Sequence, residues 1–298
     1  MSIPEIQLET WCNQGAITTS AQAYASVKAA LGHSDSGLSN PNPEIYLQGS
    51  YGNRTNIYAE SDVDVVVQHN LSFRRDLSRL PLTQQLQYNG NFGDASYGAK
   101  EHRAEVLRAL QRYFGAAVVV SGPKAIKVTT PNGRTVDVIP ALEYRDYVRF
   151  ATLSDQSYIS GISFDDSAGQ AIVNFPKQHM QNGEAKNAAG RTSGKYKQTI
   201  QMFKNARSCA VDKELLADDV APSYFIQCLL YNVPDDQFVS ERQQTFANIW
   251  LYLWNQINVQ AAICQNGRVP LFGASPQQWT IQRAKSLLTA LQTLWNTW

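Results

Sequence analysis

Three aspartates carry the chemistry that this sequence could do. Asp62 and Asp64 stand two apart in the run DVDVVV, and Asp137 stands between Val136 and Val138 in TVDVIPAL. Alternate side chains of a strand share a face, so Asp62 and Asp64 point one way and Val63, Val65 and Val67 the other. Two like charges that close repel, and burial adds to the cost, so an apolar core gains nothing from them. A bound divalent cation would explain the arrangement. Magnesium takes hard oxygen ligands and keeps part of its water shell for exchange with substrate phosphates. Two such ions, about 3.5–4 Å apart, bind the attacking hydroxyl and the leaving oxygen of an in-line phosphoryl transfer. The expected cofactor is therefore two Mg²⁺ ions, for which Mn²⁺ can substitute. Asp62 and Asp64 would hold the ion that grips a triphosphate and share the second ion, which Asp137 completes. Gly49 and Ser50, just upstream, suit a phosphate cradle, because glycine lets the backbone approach and turn N–H groups face an anion.

The elements that must position these groups follow from pattern. TSAQAYASVKAALG predicts a first helix with Ser20 at its N-cap and Gly32 at its C-terminal stop. EIYLQ predicts a short strand, GSYGN a turn, and DVDVVV a second strand. Residues 68–99 are polar, contain NGNFGDASYG, and predict an extended surface loop. EHRAEVLRALQRYFG is an amphipathic helix with Val106, Leu107, Leu110 and Phe114 at helical spacing. KAIKVTT and TVDVIPAL flank Asn132-Gly133, a strong hairpin signal. Helical segments follow around GKYKQTIQMFKNAR, APSYFIQCLLYNV, RQQTFANIWLYLWNQI and SPQQWTIQRAKSLLTALQTLW, the last with Ser275 and Pro276 as its expected start. The division predicted is a core with an N-terminal helix over residues 1–160 and a helical domain over 161–298.

An Asp-x-Asp pair alone is common on exposed edge strands. The joint pattern is specific: Gly-Ser, eleven residues, Asp-Val-Asp, then a distant strand aspartate. It resembles the nucleotidyltransferase superfamily of the polymerase-β type. GSYGNRTNIYAESDVDVVV, KAIKV, VDVIPALEYR, VNFPKQHMQNGEAKN, GKYKQTIQMFKNAR and PSYFIQCLLYNVP further resemble the bacterial cGAS/DncV-like nucleotidyltransferases (CD-NTases) of CBASS anti-phage systems. These motifs run from Gly49 to Pro234 in the family's order, and NFPKQH and PSYF look most like clade E. The resemblance implies an α/β (α+β) fold: a polymerase-β-like core with a mixed sheet plus a C-terminal helical bundle, as in oligoadenylate synthase. It also implies an enzyme that joins ribonucleoside triphosphates, releases pyrophosphate and makes a cyclic di- or trinucleotide that activates an effector.

Roles carry over position by position. Gly49 and Ser50 would hold donor phosphates, and Asp62, Asp64 and Asp137 the metals. Lys197 and Lys204 are seven apart and share a helix face. The resemblance suggests that one of them meets the triphosphate, Lys197 first, while plain solvation is the other reading for Lys204. Ser223 and Tyr224 match a pair that holds the donor nucleotide, hydroxyl to phosphate and ring to base. The alternative is a helix cap at Ser223 and internal packing of Tyr224. Asn174 could read a base edge, since an amide both donates and accepts; otherwise it is a loop amide bonded to backbone. Lys124 and Lys127 either approach phosphate or line the wet edge of a strand. His33, His69, His102 and His179 show no ligand or triad spacing and receive no catalytic role.

Composition narrows the partners. The chain has 298 residues, 43% hydrophobic and 17% charged, with a net charge of +1. That is an ordinary globular composition with no bulk attraction to nucleic acid or anionic membrane. Four isolated cysteines suggest neither zinc nor a disulfide framework and fit a cytoplasmic setting. The N-terminal residues do not read as a signal peptide, and no segment reads as a membrane span. No Cys/His zinc insertion or basic stripe is present, so activation by double-stranded nucleic acid is not expected. The terminal LWNTW lacks the small-residue tail by which some family members are conjugated to targets. Expected partners are ATP, with UTP or GTP as further candidates, and regulatory proteins of the same operon. No stable nucleic-acid partner and no membrane are expected, and the default state is a monomer. The rival activities are synthesis of linear oligonucleotides and modification of an RNA or small-molecule acceptor. An inactive nucleotide sensor would be expected to lack one of the three aspartates.

Overall fold

The computed structural model describes residues 2–15, 17–58, 62–256, 261–275 and 278–298. In chain order the first half contains α1 (Glu5–Trp11), α2 (Thr18–Leu31), β1 (Glu44–Leu47), α3 (Gly49–Asn53), β2 (Val63–Asp76), α4 (Leu82–Asn91) and α5 (Ala99–Phe114). Strands β3 (Val119–Ser121), β4 (Ile126–Thr129), β5 (Thr135–Phe150), β6 (Gln156–Asp165) and β7 (Ala171–Asn174) follow. The remainder is helical: α6 (Pro176–Asn187), α7 (Lys195–Asp212), α8 (Ser223–Tyr231), α9 (Arg242–Gln256) and α10 (Ile281–Asn296). Two compact units result: Thr18–Gln48 with Ser61–Pro176, and Met1–Ile17 with Gly49–Glu60 and Lys177–Trp298. A single cut at 160/161 does not describe them. Ile3 and Leu8 are buried in the same core as α7, and α7 also hydrogen-bonds the backbone around Thr55, so these early segments gather with the helices.

The first unit is built on one mixed sheet, ordered β1-β2-β5-β4-β3, with β6 paired to β5 and β7 to β6. Strands β2 and β5 are parallel, whereas the other pairs are antiparallel. The expected hairpin forms between β4 and β5, and Gly133 takes a φ of 79° that favours glycine in the turn. Val66, Ile139 and Ala141 share one sheet face and pack with Ile162 and Phe164. Alternation puts Asp64 on the face of Val66 and Asp137 on the face of Ile139. The aspartates therefore sit where an apolar face ends.

The structure differs from the sequence reading over residues 68–99. Strand β2 continues to Asp76, with its register shifted between His69 and Phe73, and α4 follows. The composition hid this because the stretch is held by polar pairs and sparse aromatics. Arg74 makes a two-pronged ion pair with Asp165, donating at 2.5 and 2.7 Å, and Tyr88 packs with Leu80, Tyr147 and Phe150. Ser20 is not a cap: α2 begins at Thr18, and Ser20 is buried within it. The GSYGN turn is tightened into the short helix α3.

In the helical unit, α7 runs through the core and buries Tyr196, Ile200, Phe203, Ala206 and Ala210. Phe203 stacks on Phe246, which stacks on Trp295, with ring centroids 4.8 and 5.1 Å apart. Glu5 of α1 accepts from the backbone N–H groups of Arg242 and Gln243, at 2.5 and 2.7 Å, and so caps the start of α9. Helix α10 starts later than expected, at Ile281, because the Thr280 hydroxyl accepts from the Arg283 N–H and supplies the N-cap. Ser275 precedes it as part of a bend, and Pro276 lies outside the described residues. Among the described residues, no helix is long and apolar enough to cross a membrane.

Candidate active site

The carboxylate part of the site lies in the sheet unit. Parallel pairing sets Asp64 of β2 directly beside Asp137 of β5, and antiparallel pairing sets Lys127 of β4 on the other side of Asp137. Asp62 is not in the strand, as DVDVVV suggested, but immediately precedes its first residue, Val63, and is exposed. The Asp137 side chain is 22% exposed, and its Oδ1 is buried without a hydrogen bond. Lys127 Nζ stands 3.7 Å from that oxygen, an ion-pair distance that leaves room for another partner. Burial raises the Asp137 pKa above the usual carboxylate range, Lys127 opposes this, and the charge of Asp62 raises it further. Lys127 thus stands beside a carboxylate, and Lys124 is exposed.

This donor set fits a hydrated cation. Among the described residues, no group of three His, Cys, Asp or Glu side chains, the three aspartates included, is gathered closely enough to hold a metal ion by itself. Magnesium does not require such a group, because it retains waters and takes one or two carboxylates together with substrate phosphates. The Asp137 Oδ1 without a hydrogen bond, in a group whose ionised form is disfavoured by burial and by Asp62, is the kind of atom such an ion satisfies.

The phosphate- and base-directed candidates divide between the units. Asn174, at the end of β7 in the sheet unit, is exposed and pairs in register with Ile162. The backbone reading of its amide is not what the structure shows: among the described residues its side chain has no protein hydrogen bond. The other candidates lie in the helical unit. Gly49 opens α3 with a φ of 61°, a left-handed backbone that a side chain would strain, and the Thr55 N–H donates to the Ser50 carbonyl at 2.9 Å. Lys197 Nζ donates to Glu184 Oε1 at 2.5 Å. Lys204 is 1% exposed, and its ammonium donates to the Thr55 carbonyl at 2.9 Å. Neither solvation nor open presentation to a ligand describes Lys204; it ties the backbone that follows α3. Ser223 is the first residue of α8, directly after Pro222 at the N-cap position. Tyr224 is 40% exposed, and the rest of its side chain is packed internally.

His179 was given no role from sequence, yet its ring stacks on Tyr224 at 5.1 Å and 22°. Trp279 backs the same tyrosine at 5.6 Å. Burial lowers the His179 pKa to about 4, so the imidazole is neutral near pH 7 and can lie against an aromatic ring. The hydroxyl end of Tyr224 lies beside Cys228 and Cys264, and burial pushes its pKa upward. A lone histidine in a polar helix gives no sequence signal of such a stack.

A mixed sheet carrying paired strand carboxylates, joined to a C-terminal helical domain, defines a nucleotidyltransferase of the polymerase-β type. Residues 181–296 match the model of the cGAS/DncV-like nucleotidyltransferase C-terminal helical domain. The cyclic UMP-AMP synthase of Rhodothermus marinus is 40% identical over 299 residues, covering 100% of this chain and 99% of that protein. Cyclic nucleotide synthase CdnE01 of Staphylococcus haemolyticus is 37% identical over 303 residues, covering 100% of both chains. The chain belongs to the CD-NTase family, as its motifs led us to expect, and it is a nucleotidyltransferase. The structure of the R. marinus CdnE c-UMP-AMP synthase with Apcpp and Upnpp superposes with a TM-score of 0.89, covering 99% of this chain and 97% of that one. The Elizabethkingia meningoseptica CdnE cyclic dinucleotide synthase with GTP and Apcpp, 30% identical, gives 0.76, covering 99% and 98%.

Proposed function

We propose that this enzyme joins two ribonucleoside triphosphates into a cyclic dinucleotide second messenger for anti-phage defence in the cytoplasm. The observation that carries the reading is the side-by-side placement of Asp64 and Asp137, with an unsatisfied buried oxygen on the second. The full-length similarity to proteins named cyclic nucleotide synthases supports the product class. ATP with UTP is the favoured substrate pair, because a relative of 40% identity is named a cyclic UMP-AMP synthase.

On this reading Asp62, Asp64 and Asp137 hold two Mg²⁺ ions. When bound, the metals make the acceptor hydroxyl more acidic and neutralise charge on the leaving pyrophosphate. The hydroxyl oxygen attacks the α-phosphorus, the bond to the β-phosphate breaks, pyrophosphate departs and the hydroxyl proton passes to water. A second round closes the ring. The backbone at Gly49 and Ser50 receives donor phosphates. Lys197 meets the triphosphate, and Lys204 supports the segment after α3 through Thr55. Ser223 adds a hydroxyl to phosphate, Tyr224 offers its ring to a base, and Asn174 reads a base edge.

Incubation with all four ribonucleoside triphosphates and Mg²⁺ or Mn²⁺, followed by phosphatase and mass spectrometry, tests the proposal. A phosphatase-resistant species at a cyclic dinucleotide mass is expected. Linear products alone would replace it with the reading of a nucleotidyltransferase acting on an open chain or another acceptor.

A further inference from the structure

Helices α6 and α7 and the residue after α3 bring three charges to one point. Glu184 Oε1 accepts from Lys197 Nζ at 2.5 Å and lies 3.7 Å from a terminal nitrogen of Arg54. Side-chain exposure falls from 72% at Arg54, through 50% at Glu184, to 11% at Lys197. The lysine is thus nearly withdrawn from water, whereas the carboxylate that balances it is half in water and open to displacement by a solute. Lys197 is also fixed from behind, since its backbone N–H donates to Asn187 Oδ1 at 3.0 Å.

Arg54 adds an independent sign of purpose. Its φ is 56°, in the left-handed region that a non-glycine residue rarely occupies because its Cβ crowds the backbone. The surroundings impose that conformation: the Arg54 N–H donates to the Tyr51 carbonyl at 3.2 Å, and Gln201 Nε2 donates to the Arg54 carbonyl at 3.3 Å. Strain of this sort persists where neighbours over-determine it, and it concentrates at binding sites. A merely solubilising arginine would not need it.

We infer that Glu184 is a built-in stand-in for substrate phosphate, a residue that sets nucleotide affinity by occupying Lys197 and Arg54 until a triphosphate displaces it. The inference rests on the reading of Lys197 as a triphosphate contact. A lysine so nearly buried is costly without a counter-ion, and Glu184 supplies one in the free enzyme. A triphosphate brings more negative charge and several acceptor oxygens, so it outcompetes a single carboxylate that then repels it. Lone carboxylates and small anions lack that advantage. Glu184 is a specificity-setting residue rather than a catalytic one, so it acts on binding and leaves the chemical step alone.

The test compares wild type, Glu184→Gln, Lys197→Met and the double variant for affinity towards a non-hydrolysable ATP analogue with Mg²⁺, and for KM and kcat with ATP. Glu184→Gln should tighten the analogue and lower KM by about two- to fivefold, the scale of a partly exposed ion pair, with kcat unchanged. The gain should shrink in the Lys197→Met background, and Glu184→Ala should move affinity in the same direction. If Lys197→Met weakens the analogue while Glu184→Gln leaves it unchanged or weaker, the stand-in role is overturned and the lysine contact survives. If Lys197→Met has no effect on affinity, both fall.

Discussion

Two buried charges, Lys186 in the helical unit and Asp137 in the sheet unit, are handled in opposite ways. In the helical unit, Lys186 is almost fully buried, yet its ammonium donates to the Val233 carbonyl at 2.6 Å and to Asp235 at 2.9 Å, among the rings of Tyr196, Tyr231 and Phe238. Lys204 likewise donates to the Thr55 carbonyl. In the sheet unit, Asp137 keeps a buried oxygen without a hydrogen bond, and its pKa is raised. A matched buried charge is architecture, because removing one partner strands the other. A mismatched one costs stability in the empty protein and is retained for what it binds.

The largest effect should come from the mismatched charge. Asp64→Asn and Asp137→Asn should each lower kcat by about 10³-fold or more, since several kcal/mol of charge stabilisation pass through those oxygens. Neither should lower the melting temperature appreciably. A variant that keeps its activity would sink the metal assignment, and one that loses several degrees would make Asp137 architecture after all. Lys186→Met should do the reverse. Because Asp235 keeps Arg191, which donates at 2.6 Å, the loss should be about 2 kcal/mol of stability, below the full penalty for a stranded charge. Thermal or urea unfolding measures it, and KM for ATP in the folded fraction should not move.

The same contrast governs what could be read from the sequence. Asp62, Asp64 and Asp137 stood out because a carboxylate inside a run of valines violates burial, and a violation is visible one residue at a time. Helices α5 and α7–α10 and the Asn132-Gly133 hairpin were legible because their signals are local: a repeat of apolar residues, or a turn whose backbone demands glycine. Features satisfied at long range were not legible. The second half of β2 and all of α4 looked like a loop because Arg74 finds Asp165, 91 positions away, and Tyr88 finds Tyr147 and Phe150. Helix α1 went unread because it is short, and helix α6 because its polar sequence lacks a periodic apolar stripe. Strands β6 and β7 pair with their neighbours in the chain, but QSYISGISFD lacks a clean apolar alternation and AIVN is only four residues long, so neither gives a local signal. Lys204 had two readings, and its place under Thr55 was neither, since a partner 149 positions away is invisible to helical spacing.

Base selection offers a finer test within the sheet unit. Asn174→Ala should shift the ratio of pyrimidine to purine in the product by about tenfold, the scale of one good base-edge contact. Gly161 lies beside it. A Cβ there would meet the Asn174 carbonyl oxygen and a Phe175 ring carbon at 2.8 Å, so Gly161→Ala must move that backbone. It should shift the ratio the same way by a smaller factor and leave the metal dependence untouched. An unchanged product ratio in both variants would remove Asn174 from the nucleotide site.

The smallest effect is the most discriminating for Asp137. Its folded-state pKa is raised above the ordinary 3.8, so the folded protein holds that proton more tightly than the unfolded chain does. The resulting stabilisation is fully present below pH 3.8 and is lost as pH rises through the folded-state pKa. Asp137→Asn is neutral throughout and loses nothing over that window. The melting temperature of the variant minus that of wild type should therefore become more positive from acid to neutral pH in chelator. At neutral pH, Mg²⁺ should raise the wild-type midpoint by mass action and leave Asp137→Asn nearly unmoved. The same Mg²⁺ addition should do little in acid, where proton and metal compete for one oxygen. A wild-type midpoint that ignores Mg²⁺ at neutral pH while the variant is still the more stable would mean that burial alone raises this carboxyl, and the mismatch would then belong to the fold rather than to the ion.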